Sequence, residues 1–329
     1  MKGYQFEDTQ GTFHLKKAEN ISYLYFPIAG EAGLKSSLTP NLGGDAKIDQ
    51  NTFLLEPVSA ENLVNNRNSR NFWCNVKGIG SWSLTGNAAE ALSKKFTEMQ
   101  DDSEVTAGFM WQKTTRESKK YQLRGEILSF IPVEKNVEVM LVTITNTGRM
   151  AQTVTPTAAI PLYGRSADNI RDHRHVTSLL HRIETTDIGV LVTPTLSFDE
   201  RGHQVNHMTY YCVGWSGNGE KPVDFYPTAE DFVGEGGNFE RPYAIVKNAE
   251  GVKAGTRIEG LEAVGGLHFS EVTLEPEEEC SYLIFTGITE DIQEIRNLSK
   301  TYTTREMVLE ELEKTKAYWQ EKVNVAYHT

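Results

Sequence analysis

Short apolar runs of strand length recur along most of the chain, and polar or glycine-containing turns separate them. The clearest runs are residues 121–130, 137–145, 208–215 and 280–287, which are rich in β-branched and aromatic side chains. Such runs predict β-strands. Because few helical patterns lie between them, we predict a mainly β fold with two large antiparallel sheets packed face to face, rather than a doubly wound sheet.

Local signals add detail to this prediction. Glycine turns predict two strands within residues 73–86, and apolar residues at helical spacing predict a short helix within residues 88–99. The sequence Asn-Thr-Gly at 146–148 predicts a hairpin, and residues 267–274 have the composition of one strand.

The end of the chain has a different, helical pattern. Residues 303–306 form a capping box, and Val308, Leu312, Trp319 and Val323 then recur along one face of a helix of about twenty residues. We therefore predict a sandwich domain over residues 1–288 and a helical segment over residues 289–329.

Composition narrows the classes of function. The chain has 329 residues and a net charge of −12, which makes nucleic acid an unsuitable partner. The apolar runs are too short for a membrane span, and residues 1–7 lack the apolar segment of a signal peptide, so we expect a soluble, cytoplasmic protein without a membrane partner. The three cysteines are far apart in apolar surroundings, which is typical of buried, reduced thiols.

Residues 163–182 concentrate charge in a chain that is otherwise acidic, with four arginines, three histidines and two aspartates. Arginine forks bind carboxylates, phosphates and sugar hydroxyls, so this loop predicts either a binding surface or an internal ion-pair network. The alternation of two of its histidines could hold a metal, but no cysteine or third ligand is near, and we predict no metal site. The candidate residues are Arg165, Asp168, Asn169, Arg171, Asp172, His173, Arg174 and His175.

A second polar segment precedes the predicted strand at residue 73. Its Arg70, Asn71 and Trp73 combine a guanidinium, an amide and an aromatic face, which suits a sugar site. A polar loop anchored by a buried tryptophan has the same composition. No nucleophile elbow, P-loop or Cys-x-x-Cys motif is present, and Asp199 and Glu200 fit a turn better than a general acid, so we predict no catalytic residue.

Several of these motifs resemble one family. Residues 50–59, 69–73, 80–86, 163–169, 171–176 and 198–203 are similar to the N-terminal part of the glycoside hydrolase family 94 phosphorylases, in particular the branch acting on β-1,2-glucan oligosaccharides and related to cyclic β-1,2-glucan synthases. The resemblance implies a β-supersandwich of the galactose-mutarotase type, then linker helices and an (α/α)6 barrel beginning just after residue 329. It also implies an inverting reaction with inorganic phosphate as co-substrate and no other cofactor, whose catalytic aspartate has no counterpart here.

The resemblance implies a non-catalytic domain that helps to shape a substrate site and a domain or dimer interface. The implied partners are a β-glucan oligosaccharide, the catalytic barrel, and a second copy of the chain in a homodimer. We expect no activity from the chain alone, the loop arginines and histidines at a surface facing a partner, and a terminal helix whose apolar stripe is incompletely covered. Two alternatives are a free-standing carbohydrate-binding or interaction module and a mutarotase-like enzyme, although the paired His and Glu of such a site are not evident.

Overall fold

The computed structural model describes residues 4–21, 24–58, 67–170, 174–199 and 202–323. Most of these residues lie in strands or in the turns between them. The strands are β1 (Tyr4–Phe6), β2 (Phe13–Lys16), β3 (Phe26–Ala29), β4 (Lys35–Leu38), β5 (Ala46–Asp49), β6 (Thr52–Leu55), β7 (Asn71–Val76), β8 (Gly80–Ser83), β9 (Asp102–Gly108), β10 (Trp111–Ser118), β11 (Leu123–Phe130), β12 (Val137–Asn146), β13 (Gln152–Leu162), β14 (Arg182–Thr185), β15 (Gly189–Val192), β16 (Leu196–Asp199), β17 (Gly202–Val205), β18 (Thr209–Ser216), β19 (Asp224–Thr228), β20 (Arg257–Glu259), β21 (Ala263–His268), β22 (Val272–Leu274) and β23 (Glu279–Thr289). The α-helices are α1 (Ala89–Ser93), α2 (Arg174–Ser178), α3 (Ala229–Val233), α4 (Tyr243–Lys247), α5 (Ile292–Thr301) and α6 (Arg305–Val323).

The strands form two large antiparallel sheets and two small ones. The larger sheet has the order β1-β2-β9-β10-β11-β12-β23-β18-β15-β14-β20, and the smaller has the order β19-β21-β13-β7-β8, with β22 also paired to β13. Strands β3 to β6 form a four-stranded sheet, and β16 and β17 form a hairpin. The prediction of a mainly β supersandwich is confirmed.

The main core lies between the two large sheets. On β13, Val154, Ala158 and Ile160 point into this core, while Ala159 faces the opposite side. Helices α3 and α4 cover that outer face of the smaller sheet, and α5 and α6 cover the outer face of the larger one. All ten residues of β12 are therefore buried, which explains its continuous apolar run rather than an alternating one.

Helix α6 packs more closely on the sandwich than its sequence indicated. Val308, Leu312 and Trp319 are buried, whereas Val323, at the end of the helix, is 38% exposed. The expectation that part of the stripe stays exposed holds at Val323 alone, and the other three stripe residues are covered within this chain. The physical reason is the apolar outer face of the larger sheet, where the rings of Phe285 and its neighbours stack beneath the helices.

Three local predictions need correction. The turn at 146–148 is not a hairpin, because β12 and β13 belong to different sheets and the chain crosses between them there. The Asn146 side chain holds this crossing by accepting from Gly148 N–H at 2.8 Å and donating to the carbonyls of Met150 and Leu274 at 2.8 and 2.9 Å. The helix predicted within 88–99 is confined to α1, and the strand predicted over 267–274 is divided between β21 and β22.

The predicted pair of strands within 73–86 is confirmed as the antiparallel pair β7 and β8. Within the ranges described above, no helix is both long and apolar enough to cross a membrane. The division of the chain at residue 288 stays a prediction.

Candidate functional site

The described parts of four of the six segments that carry the family resemblance converge at one end of the sandwich, whereas residues 69–73 and 80–86 lie along β7 and β8. We call this the loop end, and it comprises the described parts of residues 50–58, 163–182 and 196–205. Backbone hydrogen bonds join its first two segments, from Phe53 N–H to Arg165 O at 3.0 Å, from Tyr163 N–H to Leu54 O at 2.8 Å and from Ala167 N–H to Gln50 O at 3.0 Å. The Ser166 hydroxyl donates to Phe198 O and ties in the third. Each of the first three bonds joins positions that are more than 100 residues apart in the chain.

Arg165 lies inside the loop end and is 3% exposed. Its guanidinium makes two parallel bonds to Glu262, with Nη2 to Oε2 at 2.6 Å and Nη1 to Oε1 at 3.2 Å. It also donates to the Thr177 hydroxyl at 3.0 Å and to Tyr163 O at 3.0 Å. A guanidinium group whose donors are bonded inside the protein in this way stabilises the loop. Arg165 therefore belongs to an internal ion-pair network.

His181 is the buried histidine of the same segment. Its Nδ1 lies 3.1 Å from Leu261 O, and because a carbonyl only accepts, this nitrogen carries the proton. Burial, and then the positive charge of Arg165, lower the pKa of His181 to about 4. The imidazole is therefore neutral near pH 7, and it acts as a packed polar core residue.

The remaining candidates of the central loop have different positions. Asp168 is exposed, and Asn169 is buried, with its Oδ1 3.3 Å from the Ser166 hydroxyl. Arg174 and His175 begin α2, but their side chains lie outside the described part. The residues at 171–173, which are Arg171, Asp172 and His173, also lie outside it, so the surface position expected for them stays a prediction.

Arg70 is an interior residue that bridges the two large sheets. It is 1% exposed, and its Nε and Nη2 donate to the two carboxylate oxygens of Glu138 on β12 at 2.6 and 3.0 Å. Its Nη1 donates to Gly44 O at 2.7 Å. Glu138 also accepts from the Ser36 hydroxyl at 2.7 Å. Such a satisfied buried pair fixes the relative position of three segments of the core.

Asn71 and Trp73 are interior residues as well. Asn71 Oδ1 accepts from the hydroxyls of Ser83 and Thr85, each at 2.8 Å, and so holds the start of β7 to the end of β8. Trp73 packs beneath α4 against Ile245. Since neither these side chains nor Arg70 reach the surface, their geometry supports the alternative of a polar segment anchored by a buried tryptophan rather than a direct sugar contact.

Sequence reasoning missed a buried histidine–carboxylate pair outside the loop end. His268 Nδ1 lies 2.7 Å from Asp224 Oδ1, and both residues are buried on the outer side of the smaller sheet. The two residues are paired across β21 and β19 and are 44 positions apart in the chain, so no local sequence motif predicts their contact. Their burial gives a sugar no access to the imidazole. Among the described residues, no group of three acidic, histidine or cysteine side chains could hold a metal ion.

Comparison with known proteins identifies the family of this fold. Residues 56–305 match the family model of the glycosyl hydrolase 94 supersandwich domain, whereas no curated protein matches the chain. Among solved structures, a bacterial glucoamylase complexed with acarbose superposes with a TM-score of 0.54 at 8% identity, over 97% of this chain and 38% of that one. The chain thus spans well under half of the glucoamylase.

Smaller proteins are also similar to the chain. A putative aldose 1-epimerase from Escherichia coli K12 has a TM-score of 0.42 at 9% identity, over 81% of this chain and 99% of its own. A putative aldose 1-epimerase from Klebsiella pneumoniae has a TM-score of 0.37 at 11% identity, over 96% of this chain and 90% of its own. The match of the family model over most of the chain decides the assignment: the chain belongs to the glycosyl hydrolase 94 supersandwich-domain family.

Proposed function

We propose that this chain is the non-catalytic N-terminal domain of an inverting glycoside phosphorylase that acts on β-glucan oligosaccharides, β-1,2-linked ones in particular, with inorganic phosphate as co-substrate. Its loop end contacts the (α/α)6 catalytic barrel and helps to shape the substrate site. The observation that carries this proposal is the convergence of four of the six family motifs at one end of the sandwich.

The surface chemistry of the loop end supports a docking role. Val176, Leu179 and Val205 are large apolar residues exposed there, beside the exposed Asp168 and His203. Neighbouring apolar and polar side chains of this kind are typical of an interface between domains. The internal bonds of Arg165 hold the loop in shape before any partner arrives, which lowers the entropic cost of docking.

A matched pair of variants tests the docking. Leu179, 59% exposed at the loop end, and Ile79, 45% exposed at the turn after β7, lie near opposite ends of β13 and can each be replaced by Glu. We expect the wild-type chain to bind a separately produced catalytic barrel of a β-1,2-glucan phosphorylase, measured by calorimetry. Leu179→Glu should weaken this binding at least tenfold, because it buries an unpaired charge, and Ile79→Glu should leave it unchanged.

Two results contradict the proposal. One is equal binding by the Leu179→Glu and Ile79→Glu variants, with both folded by circular dichroism. The other is the absence of any complex between the barrel and the wild-type chain at micromolar concentrations.

A free-standing carbohydrate-binding or interaction module is the second candidate, and α6 favours it. Leu312 packs on the chain's own larger sheet, and Trp319 is buried within this chain, so these parts of the helix need no barrel for their burial. In this alternative, the wild-type chain binds a β-glucan oligosaccharide but no barrel, and the same calorimetric experiment separates the two.

A further inference from the structure

A groove between α6 and two hairpin turns lies far from the loop end. One wall is the turn from β1 to β2, where Asp8 Oδ1 accepts from the backbone N–H groups of Gln10 and Thr12 at 2.8 and 3.0 Å. The floor is the turn from β9 to β10, with Phe109 and Trp111. The groove lies at the end of β9, and the loop end includes the first residue of β14. These two strands are seven positions apart in the larger sheet, which corresponds to roughly 30 Å. The groove is therefore a separate surface, and we call it the α6 groove.

The two turns are built against each other. Gly11 has φ +87°, which favours glycine, and a Cβ on it would lie 3.3 Å from the Phe109 ring, in tight contact. Trp111 packs on the cluster beneath α5 and α6. These contacts give the groove a formed floor, and its volume of about 570 Å³ is in the range of small-ligand sites.

The other wall is a polar stripe of α6. Its residues form two rows at intervals of four, Glu313, Ala317 and Glu321 in one and Lys316 and Gln320 in the other, on a different side of the helix from the buried stripe. The one cation of this wall is already engaged, because Lys316 Nζ lies 2.8 Å from Glu313 Oε1 and 4.4 Å from the centre of the Trp111 ring. Glu313 therefore offsets the charge of this ammonium group.

The charge of the groove limits the ligands that it can accept. Asp8, Glu313 and Glu321 supply three carboxylates against the single ammonium of Lys316, so phosphates, sugar phosphates and nucleotides are repelled. The uncharged groups are the amides of Gln10 and Gln320 and the hydroxyl of Thr12. Carboxylates, amides and an aromatic floor together are the partners that a neutral polyhydroxyl ligand requires.

We propose that the α6 groove binds an unphosphorylated oligosaccharide, as a second carbohydrate site distinct from the loop end. The carboxylate of Glu321 and the amide of Gln320 bind its hydroxyl groups, and Phe109 contacts its C–H surface, because Lys316 already lies over the Trp111 ring. Because the groove is formed by described residues of this chain alone, the inference does not depend on docking to a barrel.

The test is calorimetric titration of the intact chain with three probes, which are cellotetraose, laminaritetraose and β-1,2-glucotetraose. We expect at least one to bind with Kd of about 1 mM, as is typical of a small polar contact area. Glu321→Ala and Gln320→Ala should each weaken that binding about tenfold, the loss of one well-placed hydrogen bond. Glu310→Ala, an exposed glutamate about three turns before Glu321 on α6 and outside the groove lining, is the matched control and should bind like wild type.

Additional titrations locate the binding site and exclude other classes of ligand. Asp168→Ala at the loop end should leave the affinity unchanged, and raising the salt concentration from 50 to 500 mM should have little effect on a neutral ligand. The proposal is overturned if no probe binds at 10 mM, if Glu310→Ala weakens binding as much as Glu321→Ala, or if only Asp168→Ala weakens it. Salt-sensitive binding of spermidine that is tighter than that of any sugar also overturns it, in favour of a cation site.

Discussion

Shortening the buried stripe of α6 should destabilise the whole sandwich. Leu312 is 4% exposed and lies in the cluster with Phe285 on the outer face of the larger sheet. Replacing it by Ala removes buried methyl groups and leaves a cavity under a helix that is anchored on both sides, so we expect a loss of about 2 to 5 kcal/mol in the free energy of unfolding. Trp319→Ala should cost about 3 to 5 kcal/mol for the same reason.

The assay is equilibrium unfolding in urea, followed by tryptophan fluorescence and far-ultraviolet circular dichroism. Val323→Ala, at the exposed end of the same helix, is the matched control and should change the free energy by less than about 0.5 kcal/mol. Deletion from Thr303 onward removes the stripe as a whole and uncovers Phe285, and its cost should approach the entire stability of an ordinary domain, about 5 to 15 kcal/mol. We therefore expect the truncated chain to aggregate on sizing chromatography.

A cost below about 1 kcal/mol for Leu312→Ala would refute this reasoning, provided that the slope of the urea transition is unchanged. A truncated chain that runs as a folded monomer would do the same. Either result would mean that α6 rests on the sandwich without belonging to its core, as a linker helix does.

Three further predictions concern buried polar groups and backbone geometry. The pKa of His181 is lowered in the folded chain to about 4 from its ordinary value of 6.5, so between pH 6.5 and pH 4 the unfolded chain binds a proton at His181 that the folded chain does not bind. The free energy of unfolding is therefore unaffected by His181 above pH 6.5, and it falls by on the order of 3 kcal/mol as the pH is lowered to 4. Urea titrations at pH 7 and pH 5 should show a steeper loss for wild type than for His181→Asn, and parallel losses would contradict it. Arg70→Ala leaves Glu138 charged and buried and should cost about 3 to 5 kcal/mol, whereas the double variant Arg70→Met/Glu138→Leu should recover much of this loss in the same assay; a single variant as stable as wild type would refute the role of the pair. Gly44→Ala places a Cβ 1.9 Å from Ser37 O at a φ of +120° and should lower the melting temperature by several degrees, while Gly219→Ala, also at positive φ but with open space around it, should cost less; equal losses would mean that the contact is relieved by a backbone shift.

The strands and the terminal helix were predictable because their signals are local. The apolar run of β12 and the spacing of Val308, Leu312 and Trp319 are set by residues close together in sequence. The turn at Asn146 is also a local signal, but its strands pair with partners elsewhere in the chain, and no local pattern carries that information.

The candidate site was harder to predict because guanidinium groups suit two opposite environments. Arg70 and Arg165 have the residue type of a sugar or anion site, but Glu138 and Glu262, 68 and 97 positions away, fill their forks. Only the tertiary structure supplies those carboxylates. The α6 groove likewise joins Asp8 to Glu321 across almost the whole chain, so it has no sequence motif.

The central claim is that this domain assists a phosphorylase without performing the reaction. The direct measurement is to incubate the purified chain with β-1,2-gluco-oligosaccharide and inorganic phosphate and to assay glucose 1-phosphate, with a heat-inactivated sample as the blank. The account predicts no product above the blank, because the family resemblance implies a catalytic aspartate that has no counterpart in the motifs of this sequence. Sustained release of glucose 1-phosphate in proportion to the amount of folded chain would contradict it.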